Sequence, residues 1–319
     1  MKLWLRILIS AGLFVLLFLL LPWAQVRDAL LKLPPGTWAF VLVGFVAGHG
    51  VGVFKWRLFV NAGRASLRVR DAVQCYAAGL FANLCLPSIV GGDVLRAAMA
   101  AKFTKRPEAT FLGGVIDRLT DMMAMVVLIV GGGLFAHSAL DGWLQGAMTA
   151  AMILGAVAVA LFIPLVFRRP LAKWPRKFRR PIGRSLVALR RMLRNPGTAA
   201  VALGLSLTIQ GSFVLLNAAL GHAVGITVPL AVWFLVWPLA KIAGLMPISL
   251  GGLAVREATL AGLLAPFGVP FAVGVVCSLL WQTVLIVGGL IGGLAWLVLG
   301  RLRSTPLDGG DPATVVTHA

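Results

Sequence analysis

The chain has 319 residues, of which 60% are hydrophobic and 12% charged, and its mean hydropathy is +0.95. A soluble domain carries about 45–50% apolar and about 25% charged residues, so a soluble globular chain is excluded, as is disorder, which needs an apolar-poor sequence. The net charge of +19 would suggest nucleic acid in a soluble protein. In continuous apolar sequence it points instead to basic cytoplasmic loops, and no nucleic-acid partner is expected.

A membrane span needs about 20 apolar residues. In chain order, segments 7–23, 37–54, 111–135, 143–167, 198–220 and 271–299 qualify. The first follows Lys2 and Arg6 but lacks a small-x-small cleavage site, so it reads as a retained helix rather than a signal peptide. Two further apolar stretches are interrupted. Segment 72–101 breaks at Pro87 and Gly91-Gly92, and segment 229–265 breaks at Pro247 and Gly251-Gly252. Each half is too short to span alone, and backbone freed at the breaks must be buried in protein or line a cavity. Two re-entrant helical hairpins are the simplest expectation. The apolar runs are continuous, which argues against a porin-like barrel with its alternating strands.

Segment 168–194 is a basic loop carrying eleven Lys and Arg. It serves as a topology determinant and a surface for anionic lipid. Segment 304–319 reads as a disordered tail. Cys75, Cys85 and Cys277 lack metal-ligand spacing and are expected to be buried thiols. Two overlapping G-x3-G pairs in 288–293 predict helix packing within the chain rather than dimerisation.

With the N-terminus cytoplasmic and both hairpins returning to the side they came from, most of the 29 Lys and Arg fall at cytoplasmic positions, including Lys55 after the second span. The C-terminus is then cytoplasmic too. The break motifs repeat: Pro87-Ser-Ile-Val-Gly-Gly-Asp-Val-Leu-Arg96 and Pro247-Ile-Ser-Leu-Gly-Gly-Leu-Ala-Val-Arg256 both read P-x3-G-G-x3-R. Their flanks follow the same offset. Three full crossings per half invert the second half relative to the first, as in transporters built from inverted repeats. The predicted fold is an all-α polytopic membrane protein, a single membrane domain over 1–303, with repeat A about 1–140 and repeat B about 141–303.

Eight charged residues lie within apolar sequence or at the breaks: Asp93, Asp117, Asp121, Glu257, Arg96, Arg118, Lys241 and Arg256. They sum to zero, and they must pair or line a wet cavity. Asp117 and Asp121 share a helix face at i,i+4 and repel unless a cation lies between them or one is protonated. Two alternatives stand: coupling to protons or Na⁺, or pairing with Arg256 or Lys241 across the halves. After each Gly-Gly a half-helix is expected to begin, with Arg96 and Arg256 about one turn in. Its free N–H groups, together with Ser88, Gly91, Gly92 and Arg96, or Ser249, Gly251, Gly252 and Arg256, would form an anion site for a lipid headgroup. The competing reading gives the glycines to close packing and the arginines to Asp93 and Glu257. Asp93, Asp117, Arg118, Asp121, Lys241 and Glu257 are the gating or coupling candidates. No H-E-x-x-H, G-x-S-x-G, P-loop or G-x-G-x-x-G motif occurs, and His49, His137, His222 and His318 are scattered. No catalytic residue, cofactor or metal is expected.

The stretches Asn83–Arg96, Asp117-Arg-Leu-Thr-Asp121 and Met246–Glu257 resemble the flippase-like membrane family, the transmembrane domain of bacterial lysylphosphatidylglycerol synthase/flippase proteins and their stand-alone relatives. The resemblance runs to about Arg303 and implies a lipid-translocating domain with paired re-entrant helices. It carries over to Pro87, Gly91, Gly92, Asp93, Arg96, Arg118, Asp121, Pro247, Gly251, Gly252, Arg256 and Glu257. Asp117 departs from the glutamate expected before the arginine, with the charge kept. Only a short tail follows Arg303, so lysyl transfer is not expected. The expected anion sites and the resemblance together point to a flippase or transporter of anionic or phosphate-bearing lipid in the bacterial inner membrane; which lipid does not carry over from the resemblance. The alternatives are a lipid-headgroup transferase using Asp93, Asp117 and Asp121 on a divalent metal, or an accessory subunit beside a lipid-biosynthesis enzyme. Homo-oligomerisation stays open.

Overall fold

The computed structural model describes residues 33–86, 89–136, 196–245 and 254–304, with a few isolated positions outside them. The expected spans 7–23 and 143–167, the basic loop 168–194, the tail beyond Ser304, and Pro87, Ser88, Pro247, Ser249, Gly251 and Gly252 lie outside the described residues.

Among the described residues every regular element is a helix. Four are long: α1 (Pro35–Ala62), α4 (Pro107–Ala136), α5 (Pro196–Ala223) and α8 (Phe271–Ser304). Three of them open on proline, whose fixed φ suits the first helical position and whose missing N–H would have no intrahelical acceptor there. Both α1 and α5 have 28 residues and begin Pro-Gly-Thr. At 1.5 Å per residue each is about 42 Å long, more than the hydrocarbon core of about 30 Å. All four are apolar enough to cross a membrane. Their outward side chains, among them Phe40, Val43, Leu134, Phe135 and Leu294, are exposed apolar groups suited to lipid.

Four helices are short: α2 (Val69–Cys85), α3 (Ile89–Thr104), α6 (Leu230–Leu245) and α7 (Val255–Leu264), the last running into a single 3-10 turn at Ala265–Phe267. None reaches the core thickness by itself; the longest, α2, has 17 residues, about 26 Å. Helices α2 and α3 pack together, as do α6 and α7. The breaks therefore fall where Pro87 and Pro247 place them in the sequence.

The halves interlock. Helix α2 packs along α8, α6 packs along α4, and α1 runs beside α5. Small residues make the crossings close. The four glycines of the overlapping G-x3-G pairs in α8 meet Phe45, Leu84, Ala77 and Phe81 of the same chain, so this stripe packs internally. On α4, Gly132 lies against the backbone of α6, where a Cβ would stand 2.6 Å from the Leu235 nitrogen. Pro238 lies inside α6 about one turn further on and, lacking an N–H, leaves one helical carbonyl without its backbone donor. Gly132→Ala is therefore expected to cost about 1–3 kcal/mol by overpacking, read as a lower melting temperature of the purified protein.

The larger apolar core gathers α5, α6, α7 and α8 around Phe213, Leu220, Val232, Trp237, Leu260 and Trp281, and reaches α1 at Val41 and Phe45. A smaller one joins α1, α2, α3 and α4 around Trp56, Val60, Leu67 and Cys75. Among the described residues the cluster of α1, α2, α3 and α4 is the smaller of the two.

Three expectations need correction. Lys55 is not in a cytoplasmic loop: α1 continues past the predicted end of its span, and Lys55 is 1% exposed inside the bundle. Helix α3 begins at Ile89, before Gly91-Gly92 rather than after, so Arg96 lies about two turns in. Cys75 and Cys277 are buried, but Cys85 is exposed at the end of α2.

Candidate functional site

The site starts from one helical stripe. Val41, Phe45, Gly48, Gly52 and Phe59 are buried at i+3 and i+4 spacing on α1, the period of a single helix face. Lys55 falls on this stripe and points at α4. Its Nζ lies 3.0 Å from Asp117 Oδ1 and pairs more closely with Asp121. It also donates to Ser206 Oγ on α5 at 3.0 Å. The two carboxylates, one turn apart on α4, thus have a cation between them, and that cation is Lys55 rather than Arg256 or Lys241. Buried carboxylates are tolerated when cations pair with them in this way.

Arg96 extends the cluster to α3. Its guanidinium donates to Asp117 Oδ2 at 2.7 Å and lies 3.2 Å from Asp93 Oδ1. It is 4% exposed and sits 5.1 Å from the ring centroids of both Trp56 and Tyr76, a cation–π arrangement that replaces water on its faces. Arg118 Nε donates to Asp93 Oδ2. The amide of Gly92 donates to Asn83 Oδ1 at 3.0 Å, so α2 caps one of the early N–H groups of α3. Gly92 has a packing role as well: a Cβ would overlap the Gly79 carbonyl oxygen and the Asn83 side chain.

These groups surround a cavity of about 90 Å³. Asp93, Arg96, Asp117, Arg118, Asp121 and Lys241, all singled out from the sequence, line it together with Lys55, His49, Tyr76, Asn83, Gln210 and Phe213. Both halves contribute. Lys241 on α6 donates to Gln210 Oε1 on α5 at 2.7 Å and lies 5.5 Å from the Phe213 ring centroid. His49 Nδ1 and the Tyr76 hydroxyl are 3.2 Å apart; Phe45 meets the His49 ring edge-on and Phe213 meets it at a tilt, and Trp281 packs against both phenylalanines. The sequence-level charge balance also changes. With Lys55 included, four cations and three carboxylates line the cavity.

Arg256 and Glu257 do not join this lining. Arg256 donates to Glu257 Oε1 at 2.6 Å and to Gln282 Oε1 on α8 at 2.8 Å. Glu257 is fully buried, and its Oε2 has no hydrogen-bond partner among the described residues. The two break arginines therefore serve separate networks. Arg256→Gln is expected to destabilise the fold by about 3–5 kcal/mol, because it leaves the Glu257 charge unpaired. Adding Glu257→Gln should recover much of the loss, and thermal unfolding of the single and double variants checks it.

A second cavity, of about 410 Å³, lies between the connection Val224–Pro229 and the turn around Phe267–Pro270. No charged side chain lines it. Among the described residues no group of three or more His, Cys, Asp or Glu could hold a metal ion, since Asp93, Asp117 and Asp121 each face a cation of the chain.

Lys55, Gln210, Ser206, Tyr76 and Asn83 were missed at the sequence level. The buried stripe of α1 was the available signal for Lys55. The neutral groups carry no such mark, because polar residues in apolar helices often face lipid-packed neighbours rather than a site. No curated relative and no solved structure matches the chain. The family model described as the lysylphosphatidylglycerol synthase TM region matches residues 3–293. Long apolar helices, short paired helices and a buried ion cluster thus occur in a chain that belongs to this membrane family.

Proposed function

We propose that the chain moves a phosphate-bearing lipid across the bacterial inner membrane. The headgroup would enter the polar cavity between the halves while the hydrocarbon tails stay in the bilayer. The observation that carries this reading is the cavity itself. Seven charged side chains from α1, α3, α4 and α6 converge on about 90 Å³ inside a bundle of membrane-crossing helices. Charges inside a membrane mark a substrate or ion pathway by default. In this reading the two halves are an inverted repeat, the short helix pairs are re-entrant hairpins, and both termini are cytoplasmic. Rocking of one half against the other exposes the cavity alternately. The Arg118–Asp93 pair, with Arg118 the most open of the ion-pair cations at 40% side-chain exposure, is the contact that opens first. The basic loop holds anionic lipid on the cytoplasmic face. The chain carries out no chemical step of its own.

The test is reconstitution into vesicles with a fluorescent phospholipid in one leaflet, followed by a membrane-impermeant quencher. Wild type should render the inner pool accessible. Arg118→Gln should slow exchange about tenfold, as expected for losing one charge-assisted hydrogen bond. Absence of movement for both phospholipid and polyprenyl-phosphate lipid, under any ion gradient, overturns the proposal.

A further inference from the structure

The charges around the cavity do not cancel, and the excess can be located. Asp93 pairs with Arg118, Asp117 with Arg96 and Asp121 with Lys55. Each carboxylate has its own cation on α1, α3 or α4, in the first half of the chain. Lys241 remains. Among the described residues no carboxylate forms a salt bridge with it; its contacts are the Gln210 side-chain oxygen and the Phe213 ring. Accepting from Lys241 fixes the Gln210 amide with its NH₂ group turned away. Gln210 is 5% exposed and lines the same cavity as Lys241. An ammonium and an amide donor, both in the second half, thus share one empty space with a neutralised first half.

We infer that Lys241 and Gln210 form the seat for one negative charge, the phosphodiester of a lipid headgroup, and that this group completes the charge balance of the cavity. The inference rests on the transport reading and narrows its substrate class. A phosphodiester carries a single negative charge and no ionisable proton near neutral pH, so it cancels the excess of one. A phosphomonoester, at about −1.5 to −2, overshoots it. A cationic headgroup adds to it. The size agrees: about 90 Å³ holds a compact anion or a few waters, so bulkier headgroup parts remain outside. Lys241 and Gln210 belong to α6 and α5, whereas the ion pairs lie on α1, α3 and α4, so the bound phosphate adds a contact with the second half.

The experiment uses the full chain in phosphatidylcholine nanodiscs containing phosphatidylglycerol, phosphatidic acid or diacylglycerol as labelled probes. Binding to wild type is expected in the order phosphatidylglycerol, phosphatidic acid, diacylglycerol. Lys241→Gln should weaken phosphatidylglycerol binding about tenfold or more, the loss of one charge-assisted hydrogen bond, and erase the preference over diacylglycerol. Lys241→Met, which keeps the stem against Phe213, replaces Lys241→Gln if that variant fails to fold. Lys102→Gln, exposed at the end of α3, should leave binding unchanged. Unaltered phosphatidylglycerol binding by both Lys241 variants overturns the inference, and so does diacylglycerol binding as tightly as phosphatidylglycerol. Displacement of the lipid by equimolar inorganic phosphate or soluble glycerophosphodiester overturns the lipid assignment. The two proposals fail separately. Lys241-dependent binding without movement across vesicles defeats the transport reading and keeps the seat. Movement that ignores both Lys241 variants defeats the seat and keeps the transport reading.

Discussion

Lys55→Gln is expected to lower the stability of the protein by about 3–5 kcal/mol, the cost of breaking a buried pair and leaving its partners charged. The reasoning is specific to Lys55. It is 1% exposed, contacts Asp117 and Asp121 together, and ties α1 to α5 through Ser206. Without it, two carboxylates one turn apart on α4 face each other in a low dielectric, and only Asp117 keeps another cation, Arg96. At about 2–4 °C per kcal/mol for a chain of 150–250 residues, the melting temperature in detergent should fall by more than about 6 °C. Asp121→Asn in the same chain removes the unmatched charge and should restore more than half of the loss. A Lys55→Gln variant melting within about 2 °C of wild type would show that the cluster is not held by this lysine.

Gly92→Val should be the most damaging single change in the packed pair α2 and α3. A side chain there would enter the Gly79 carbonyl oxygen, which is backbone and cannot turn away, and would displace Asn83 from the Gly92 amide. Helix α3 would have to move off α2, carrying Asp93 and Arg96 with it and opening the ion pairs to α4. The steric cost alone is about 1–3 kcal/mol, and the uncoupled charges add to it. The variant is expected to lose both folded yield and lipid movement. Two neighbours calibrate the result. At Gly91 the nearest atoms to a Cβ belong to the Leu86 side chain rather than to backbone, and at Gly114 nothing lies within 4 Å. Gly91→Ala should therefore be mild. Gly114→Ala should be neutral or slightly stabilising through helix propensity. Equal expression and melting of Gly92→Val and Gly114→Ala would refute the close approach of α2 and α3.

Much of this architecture is legible in the sequence because membrane helices advertise themselves by length and hydropathy, and because Pro87 and Pro247 mark where such helices stop. The buried charges are legible where they interrupt apolar runs, as with Asp117, Arg118 and Asp121. Lys55 escaped for a physical reason. It stands near Arg57 toward the end of a long helix, where a lysine ordinarily reaches the interface, and only the periodicity of its buried neighbours separates the two cases. Partner choice was not legible at all. Asp117 and Asp121 could have met any cation of the bundle, and the selection of Lys55 and Arg96 depends on how α1 and α3 pack against α4. The expected symmetry of Arg96 and Arg256 failed similarly. Their motifs match, but Arg96 has Asp117 opposite it on α4, whereas Arg256 turns to its neighbour Glu257 and to Gln282 of α8.

The crossed packing of α2 on α8 and α6 on α4 bears on biogenesis. A chain emerging from the ribosome ordinarily completes its N-terminal parts first, yet here α2 is made early and its main neighbour is the last long helix of the described chain. Until Phe271–Ser304 is in place, the face of α2 that meets the α8 glycines, formed by Ala77, Leu80, Phe81 and Leu84, is uncovered. The expected final assembly step is therefore a late closure, with α2 waiting for α8. A chain truncated before Phe271 should be inserted but remain open, and membrane quality-control proteases should remove it faster than the full chain.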